Sequence, residues 1–236
     1  MLEFDLNIDL GSLDIEFDMP MLDKGFRNRY AKAKISRNLP SYKIRYSNAQ
    51  KLAKHIKLDE DIRYDCIVAG NFIFGDFIEA FITHNNAKCK QLTISTLSLD
   101  QNNVDSLANL LKGNFVDEMN MIVSDYFYAH EKKSLIPYLY DKLDIDDRFQ
   151  LAVAGTHTKI VMFETLGGKK IVIHGSANLR SSSNIEQFTI EENKALFDFH
   201  SDYHHSIIEK YSTINKDIKR HKSLRGKELW TLINKL

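Results

Sequence analysis

Polar side chains of the kinds used in catalysis are concentrated between residues 157 and 187, which read HTKIVMFETLGGKKIVIHGSANLRSSSNIEQ. The chemistry-bearing members are His157, Lys159, Ser176 and Asn178. An imidazole can attack phosphorus as a nucleophile, while an ammonium group and an amide stabilise the charge that develops on the non-bridging oxygens. This set suits cleavage of a phosphodiester without a metal ion, provided that a second group protonates the leaving oxygen.

A glycine pair divides the stretch into two strand-forming runs. Residues 167–168 lie between VMFETL and KKIVIH, and paired glycines supply the positive φ angles of a two-residue hairpin loop. With these two residues as the loop, Lys159 pairs with Ser176 and His157 pairs with Asn178. Directly paired residues share a face, with Cβ atoms about 4.5–5.5 Å apart. The sequence therefore predicts one patch of His, Lys, Ser and Asn.

The spacing of these residues resembles a known signature. The segments HTKIVMFE (157–164), GSAN (175–178) and NIE (184–186) are similar to the HxKxxxxD…GSxN and N-x-E pattern of the phospholipase D superfamily. The departure is Glu164 in place of Asp, which keeps the charge. By strand parity Glu164 points away from the patch, where we expect it to form a structural ion pair.

The resemblance implies a two-step reaction with a phosphohistidine intermediate. His157 would form the covalent bond, and a second His157 would serve as acid and then as base. Lys159 and Asn178 would bind the phosphate, with Ser176 supporting them and Glu186 orienting the imidazole.

Three further residues of the motif region are expected to contact substrate, namely Gly175, Arg180 and Asn184. The serines at 181–183 and Arg180 also fit a loop and helix start, so that alternative stays open. The motif implies no cofactor and no metal ligand.

One copy of the motif is present in these 236 residues. His130-x-Lys132 is another H-x-K, but Pro137 occupies the place of the acid and no GSxN follows. Superfamily members carry two motifs in one chain or one motif in each half of a homodimer. We therefore expect a two-fold homodimer with both motifs at its axis.

Composition limits the class of protein. Hydrophobic residues make up 43% of the chain, enough for a core, and apolar runs stay well below the roughly 20 residues of a membrane span. The start, MLEFDLNIDL, is acidic and alternating, unlike a secretory signal. A cytoplasmic protein of bacterial or phage origin is expected. Cys66 and Cys89 lie in apolar runs and are predicted to be buried free thiols.

Charge is uneven although the formal net charge is zero. Residues 1–19 hold six acidic and no basic side chains, whereas residues 20–58 hold eleven Lys and Arg and one Asp. We predict an N-terminal extension over 1–58, a catalytic domain over 59–212 that is acidic overall, and a basic tail over 213–236 containing Trp230.

Hydrophobic periodicity predicts strands alternating with helices in the catalytic domain. The expected fold is α/β, a mixed β-sheet with helices on both faces, as in the phospholipase D superfamily. Strands are predicted at 66–69, 92–94, 119–123, 149–153 and 188–190. Helices are predicted at 49–56, 77–82, 104–111, 135–143 and 194–211.

Other polar and aromatic residues have simpler structural interpretations. His174 is predicted to be a packed or edge histidine, and residues 126–128 (Tyr-Phe-Tyr) are predicted to pack at a strand end rather than stack on bases. Residues 198–205 offer metal-type ligands with His200 and His204 on one helical face, but an exposed helix surface explains them. The turn after residue 69 lacks the Lys-Ser/Thr of a phosphate loop.

Three functions remain open at this level. A nuclease fits a compact chain whose basic segments contact phosphates. A phospholipid-hydrolysing enzyme would need an apolar membrane-facing surface, and none is evident. The non-enzymatic alternative is an inactive nucleic-acid-binding or assembly protein that retains the fold.

Overall fold

The structure is a computed structural model that describes residues 32–36, 49–58, 62–68, 72–180 and 184–213. Several sequence predictions fall outside these ranges. They concern the acidic residues 1–19, most of the basic segment 20–58, the turn at 69–71, the serines 181–183 and the tail beyond 213.

Eight strands within the described residues form one mixed sheet. Its order is β1-β2-β8-β7-β6-β3-β4-β5. The strands are β1 (Lys32–Ser36), β2 (Arg63–Val68), β3 (Cys89–Thr96), β4 (Val116–Ser124), β5 (Phe149–Ala154), β6 (Ile160–Thr165), β7 (Lys170–Gly175) and β8 (Glu186–Glu192).

The helices alternate with these strands, as the hydrophobic periodicity predicts. They are α1 (Ala49–His55), α2 (Phe74–His84), α3 (Gln101–Lys112), α4 (Asp125–Glu131), α5 (Leu135–Leu143) and α6 (Lys194–Tyr211). Strands β3, β4 and β5 run parallel, while the other pairings in the sheet are antiparallel. The parallel strands are joined by helical crossovers, so the α/β prediction is confirmed.

Helices cover both faces of the sheet because neighbouring strand residues point to opposite sides. On β4, Met119, Met121 and Val123 belong to the large core beneath α1, α2, α3 and α5. Ile122 belongs instead to a smaller core that packs against α6, together with Ala152 of β5. Each face therefore has its own apolar layer.

Two elements that precede residue 59 are part of this unit. Strand β1 pairs with β2, and α1 with the residue that follows it buries Leu52, Ala53 and Ile56 against the main core. Their spacing of one, three and four positions gives α1 an apolar stripe that must be covered. The folded unit therefore begins before the predicted domain boundary.

Helix α4 was not predicted. It contains the three aromatic residues 126–128, which the sequence assigned to packing at a strand end, and it buries only two of them. Phe127 and Tyr128 are buried, whereas Tyr126 is 68% exposed. The helix starts because the Ser124 hydroxyl accepts the Phe127 N–H at 3.0 Å. This N-cap outweighs the strand preference of three consecutive aromatic residues.

Helix α6 has the predicted bounds, but its histidines are not all on the surface. His204 is 1% exposed and lies beside Tyr203, with ring centroids 4.1 Å apart. Burial lowers the pKa of His204 to about 3 and that of the half-buried His200 to about 4. The prediction of a surface helix face was wrong for His204, because α6 turns this side toward the sheet.

His174 is packed against the same region, as predicted. Its Nε2 lies 3.6 Å from Oε1 of the buried Glu191 on β8. Burial also raises the pKa of Cys89 to about 12, and Cys66 and Cys89 are both free and buried, which confirms their prediction.

The chain after α6 returns to the edge strand β5. Ser212 bridges Ala152, and the Thr213 N–H donates to the Leu151 carbonyl at 2.7 Å. The Gln150 amide donates to the Thr213 carbonyl at 3.3 Å. Residues 212–213 therefore occupy backbone groups that β5 would otherwise present to solvent.

The buried imidazole of His204 should make the fold sensitive to acid. The unfolded state takes up a proton near pH 6.5 and the folded state does not, so stability is fully present above pH 6.5. It should fall as the pH is lowered toward 4, by about 1.4 kcal/mol per pH unit from this residue. Urea unfolding between pH 4.5 and 7.5 measures the slope.

His204→Gln should reduce this slope, whereas His205→Gln should not, because His205 is exposed on the same helix. Equal slopes in the wild type and His204→Gln would contradict the assignment.

Candidate active site

The residues of the motif meet at one end of the sheet, here called the site end. Strands β3, β4, β5 and β7 finish there, and β6 and β8 begin there. Strands β5 and β6 are separated by β4 and β3 in the sheet order. Residues 155–159 must therefore cross the ends of two strands, a span of about 14 Å. His157 and Lys159 lie in this crossing loop.

Hydroxyl groups fasten the crossing loop to the sheet. Thr158 Oγ1 lies 2.5 Å from Ser95 Oγ and 2.8 Å from Thr156 Oγ1. The Thr158 N–H donates to Thr156 Oγ1 at 3.1 Å, and the Tyr203 hydroxyl is hydrogen-bonded to the Thr158 side chain. Sequence analysis missed this network, although the alternation Thr-His-Thr-Lys was its signal. It holds the residues on either side of His157 in place.

His157 and Lys159 contact each other, as expected from their shared direction. Lys159 Nζ lies 2.8 Å from His157 Nδ1 and 3.0 Å from the His157 carbonyl oxygen. An ammonium group can only donate, so Nδ1 accepts and the neutral ring carries its proton on Nε2. His157 itself is exposed, which leaves the Nε2 side of the ring open to a ligand.

Two opposing effects act on the Lys159 ammonium group. Partial burial lowers its pKa from the ordinary lysine value, and the negative charge of Glu186 partly offsets this. Desolvation disfavours the charged form, whereas a nearby carboxylate favours it. The negative charge of Glu186 therefore acts directly on the ammonium group of Lys159.

Ser176 connects Glu186 to the β7 terminus. The Ser176 hydroxyl donates to the Glu186 carboxylate and accepts the Gln187 N–H at 3.0 Å. The Ser176 N–H donates to the Gln187 carbonyl at 2.8 Å. The serine thus fixes the carboxylate whose charge acts on Lys159. Hydrogen bonds and this electrostatic interaction link four predicted residues into one cluster: His157, Lys159, Ser176 and Glu186.

The hairpin register differs from the predicted one by one residue. Glu164 pairs with Lys170 and Ile160 pairs with His174. The loop has three residues rather than two, because the Thr165 N–H donates to the Lys169 carbonyl at 2.9 Å while Gly168 takes a φ of +86°. This is the three-residue hairpin with its last loop residue in the left-handed region.

The predicted pairs of Lys159 with Ser176 and of His157 with Asn178 were therefore wrong. The Lys159 carbonyl accepts the Gly175 N–H at 3.3 Å instead. Glu164 is exposed on the face of α6, so its predicted orientation away from the patch is confirmed.

Asn178 lies at the site end but has a separate environment. The next residue, Leu179, is buried, donates its N–H to Thr96 Oγ1 at 3.3 Å and bridges Leu99. The buried Asn178 Oδ1 has no hydrogen-bond partner among the described residues. Within that part of the chain the amide oxygen makes no hydrogen bond with His157.

The remaining predicted residues surround this cluster. Arg180 and Asn184 are exposed on either side of residues 181–183. No group of three or more His, Cys, Asp or Glu side chains in the described ranges has the arrangement of a metal site. Among the same residues, no helix has both the length and the apolar composition needed to cross a membrane.

Gly175 has a packing role at this site. A Cβ atom there would lie 2.2 Å from the Gln187 carbonyl oxygen and 2.6 Å from Phe188 Cα. Phe188 cannot retreat, because its buried ring packs against Phe74 and Phe77 at centroid distances of 5.1 and 4.8 Å. The close approach of β7 to β8, which brings Ser176 to Glu186, therefore requires glycine.

Gly175→Ala should lower the free energy of unfolding by about 1–3 kcal/mol, because the added methyl group meets backbone atoms. Gly167→Ala is the matched control in the same hairpin. Its nearest contact is Thr165 Oγ1 at 3.7 Å, so we expect a change within about 0.5 kcal/mol. Urea denaturation compares the two, and equal stabilities would refute the packing role.

Comparisons with known proteins found likeness in solved structures only. No family model and no curated protein matches the chain. NucT from Helicobacter pylori is 13% identical with a TM-score of 0.47, over 62% of this chain and 96% of that one. Nuc from Salmonella typhimurium, a phospholipase D family member, is 12% identical with a TM-score of 0.43, over 61% and 93%.

Phosphatidylserine synthase from Haemophilus influenzae is 13% identical with a TM-score of 0.49, over 76% of this chain and 46% of that one. Identities and TM-scores this low leave the functional conclusion to the site itself. The chain is thus similar to the phospholipase D superfamily in its motif, and its α/β sheet is similar to solved structures that include a member of that family.

Proposed function

We propose that this chain is a metal-independent phosphodiesterase of the phospholipase D type that acts on nucleic acid as a homodimer. The observation that carries the proposal is the connected cluster of His157, Lys159, Ser176 and Glu186 at the site end. It combines an exposed imidazole, which is the nucleophile, with a cation and a fixed carboxylate.

In the first step, Nε2 of His157 attacks phosphorus and the bond from phosphorus to the leaving oxygen breaks. The second subunit's own copy of His157 enters this step protonated, gives its proton to that oxygen and becomes neutral. In the second step, the same imidazole removes a proton from water, whose oxygen attacks the phosphohistidine and releases His157. Protons and bonds balance over the cycle, and the net reaction is hydrolysis.

Lys159 has two positions in this scheme. In the unliganded site it donates to His157 Nδ1, which places the ring proton on Nε2 and makes that nitrogen unreactive. A phosphate attracts the ammonium group and releases Nδ1 to take the proton. The carboxylate of Glu186 then orients the imidazole, and the Asn178 amide adds a second group for the phosphate oxygens.

The distribution of apolar surface favours a nucleic acid over a lipid. The large exposed apolar side chains in the described ranges lie on four separate elements: Tyr126, Leu166, Ile185 and Phe199. An enzyme that works on bilayers needs a continuous apolar surface. The Lys- and Arg-rich residues 20–58 provide the charge for contacts with a phosphate backbone.

A homodimer would supply the second imidazole. The crossing loop presents one His157 per chain, and His130 of the H-x-K at 130–132 packs on Tyr126 rather than on a motif residue. Two-fold symmetry would bring two identical loops together.

His157→Ala should reduce hydrolysis of bis(p-nitrophenyl) phosphate and of DNA and RNA oligonucleotides by about 1,000-fold or more in excess EDTA. His84→Ala is the control, because His84 is exposed at the far end of α2. Wild-type activity that disappears in EDTA, or survives His157→Ala, would contradict the mechanism. DNA or RNA binding without turnover would favour the inactive binding protein.

The dimer can be tested with two affinity tags. Wild-type and His157→Ala chains are co-expressed, and the mixed dimer is isolated by sequential purification. If both imidazoles serve one site, the mixed dimer should have almost no activity, whereas independent subunits would retain about half. Half activity, or a monomer in sedimentation velocity, would refute the shared site.

A further inference from the structure

Tyr126 and His130 form an exposed aromatic pair on α4. Tyr126 is 68% exposed, and its ring centroid lies 4.0 Å from that of His130 with an interplanar angle of 35°. The two residues are four positions apart, so their side chains share one helical face. An aromatic ring this exposed adds little to the core, and its partner leaves much of the Tyr126 face open to solvent.

The pair is held in place by the local structure. His130 Nδ1 lies 2.7 Å from the Tyr126 carbonyl oxygen, which fixes the imidazole ring. At the start of α4, the Ser124 hydroxyl donates to the Leu97 carbonyl at 2.8 Å and accepts the Phe127 N–H. The buried rings of Phe127 and Tyr128 anchor the rest of the helix to the main core. A ligand would therefore meet a preorganised surface.

The aromatic pair lies at the site end of the sheet. Ser124 pairs in register with Ala154, three residues before His157. Tyr126 is two residues beyond Ser124, so the Cα atoms of Tyr126 and His157 are at most about 23 Å apart. A short single-stranded segment can span any distance up to this limit, since stacked nucleotides advance about 3.4 Å each.

We propose that Tyr126 and His130 form a nucleobase-stacking platform for a single-stranded part of the substrate whose scissile phosphate lies at His157. The inference rests on the proposed function and specifies its substrate class. Bases of a single strand present free π faces to an aromatic side chain, whereas a duplex hides them and a phospholipid headgroup has none. Lys132 and Lys133 follow the pair and provide charge for the backbone of the strand.

The kinetic test compares two substrates of different size. Tyr126→Ala should raise the KM for a single-stranded oligonucleotide by between about 5-fold and 150-fold, the range for loss of one stacked base. The kcat should stay the same. Hydrolysis of bis(p-nitrophenyl) phosphate should be unchanged, because this molecule carries no nucleotide strand that extends from the scissile phosphate. Tyr126→Trp should retain wild-type KM.

Phe199→Ala is the matched control. Phe199 is an aromatic residue of similar exposure, 62%, but it lies on α6. Its loss should leave both substrates unaffected. A rise in KM with Phe199→Ala equal to that with Tyr126→Ala would indicate a general loss of stability and overturn the platform.

Binding separates this inference from the proposed function. Fluorescence anisotropy with labelled single-stranded and duplex oligonucleotides is measured on His157→Ala and on His157→Ala combined with Tyr126→Ala. Weaker binding of the single strand alone supports the platform, even if the wild type hydrolyses nothing and the proposed function fails. Unchanged binding, or equal loss for the duplex, overturns the platform even if hydrolysis is observed.

Discussion

The path of the chain from β5 to β6 is the constraint on which the site depends. These strands are not neighbours, so residues 155–159 must cross the ends of β4 and β3. A loop in that position would be mobile without internal bonds, and the contact between Thr158 and Ser95 fixes it to β3. His157 and Lys159 flank Thr158, so the side chains available for chemistry are held by a residue that performs none.

Helix α6 supports the same loop from the other face of the sheet. Tyr203 is bonded to Thr158 and packs on His204, so the crossing loop rests on a layer containing a buried neutral imidazole. The smaller apolar core beneath α6, which includes Ile122, fixes the position of Tyr203. Helix α6 is therefore part of the support of the site, although it contributes no residue of the motif.

The sequence predicted the fold class, most elements and the shared direction of His157 and Lys159, because hydrophobic period and residue spacing are local signals. It failed where tertiary contacts decide. The glycine pair indicated a hairpin, but the Thr165 and Lys169 backbone groups selected a three-residue loop and shifted the register. The prediction for His157 and Lys159 was not affected by this shift, because both residues precede the paired part of β6, which begins at Ile160. Periodicity placed His200 and His204 on one face of α6, yet only packing shows that this face meets the sheet.

The return of the chain to β5 has a consequence for self-association. An unpaired outer strand is a template for strand addition, and natural proteins block such templates to avoid aggregation. Residues 212–213 cap the middle of β5 by hydrogen bonds to Leu151 and a bridge to Ala152. Two copies of this protein therefore cannot merge their sheets through the middle of β5 into one continuous sheet. A second molecule cannot add a strand at this position, because the backbone groups are already bonded. One route to fibrous polymers is thereby removed.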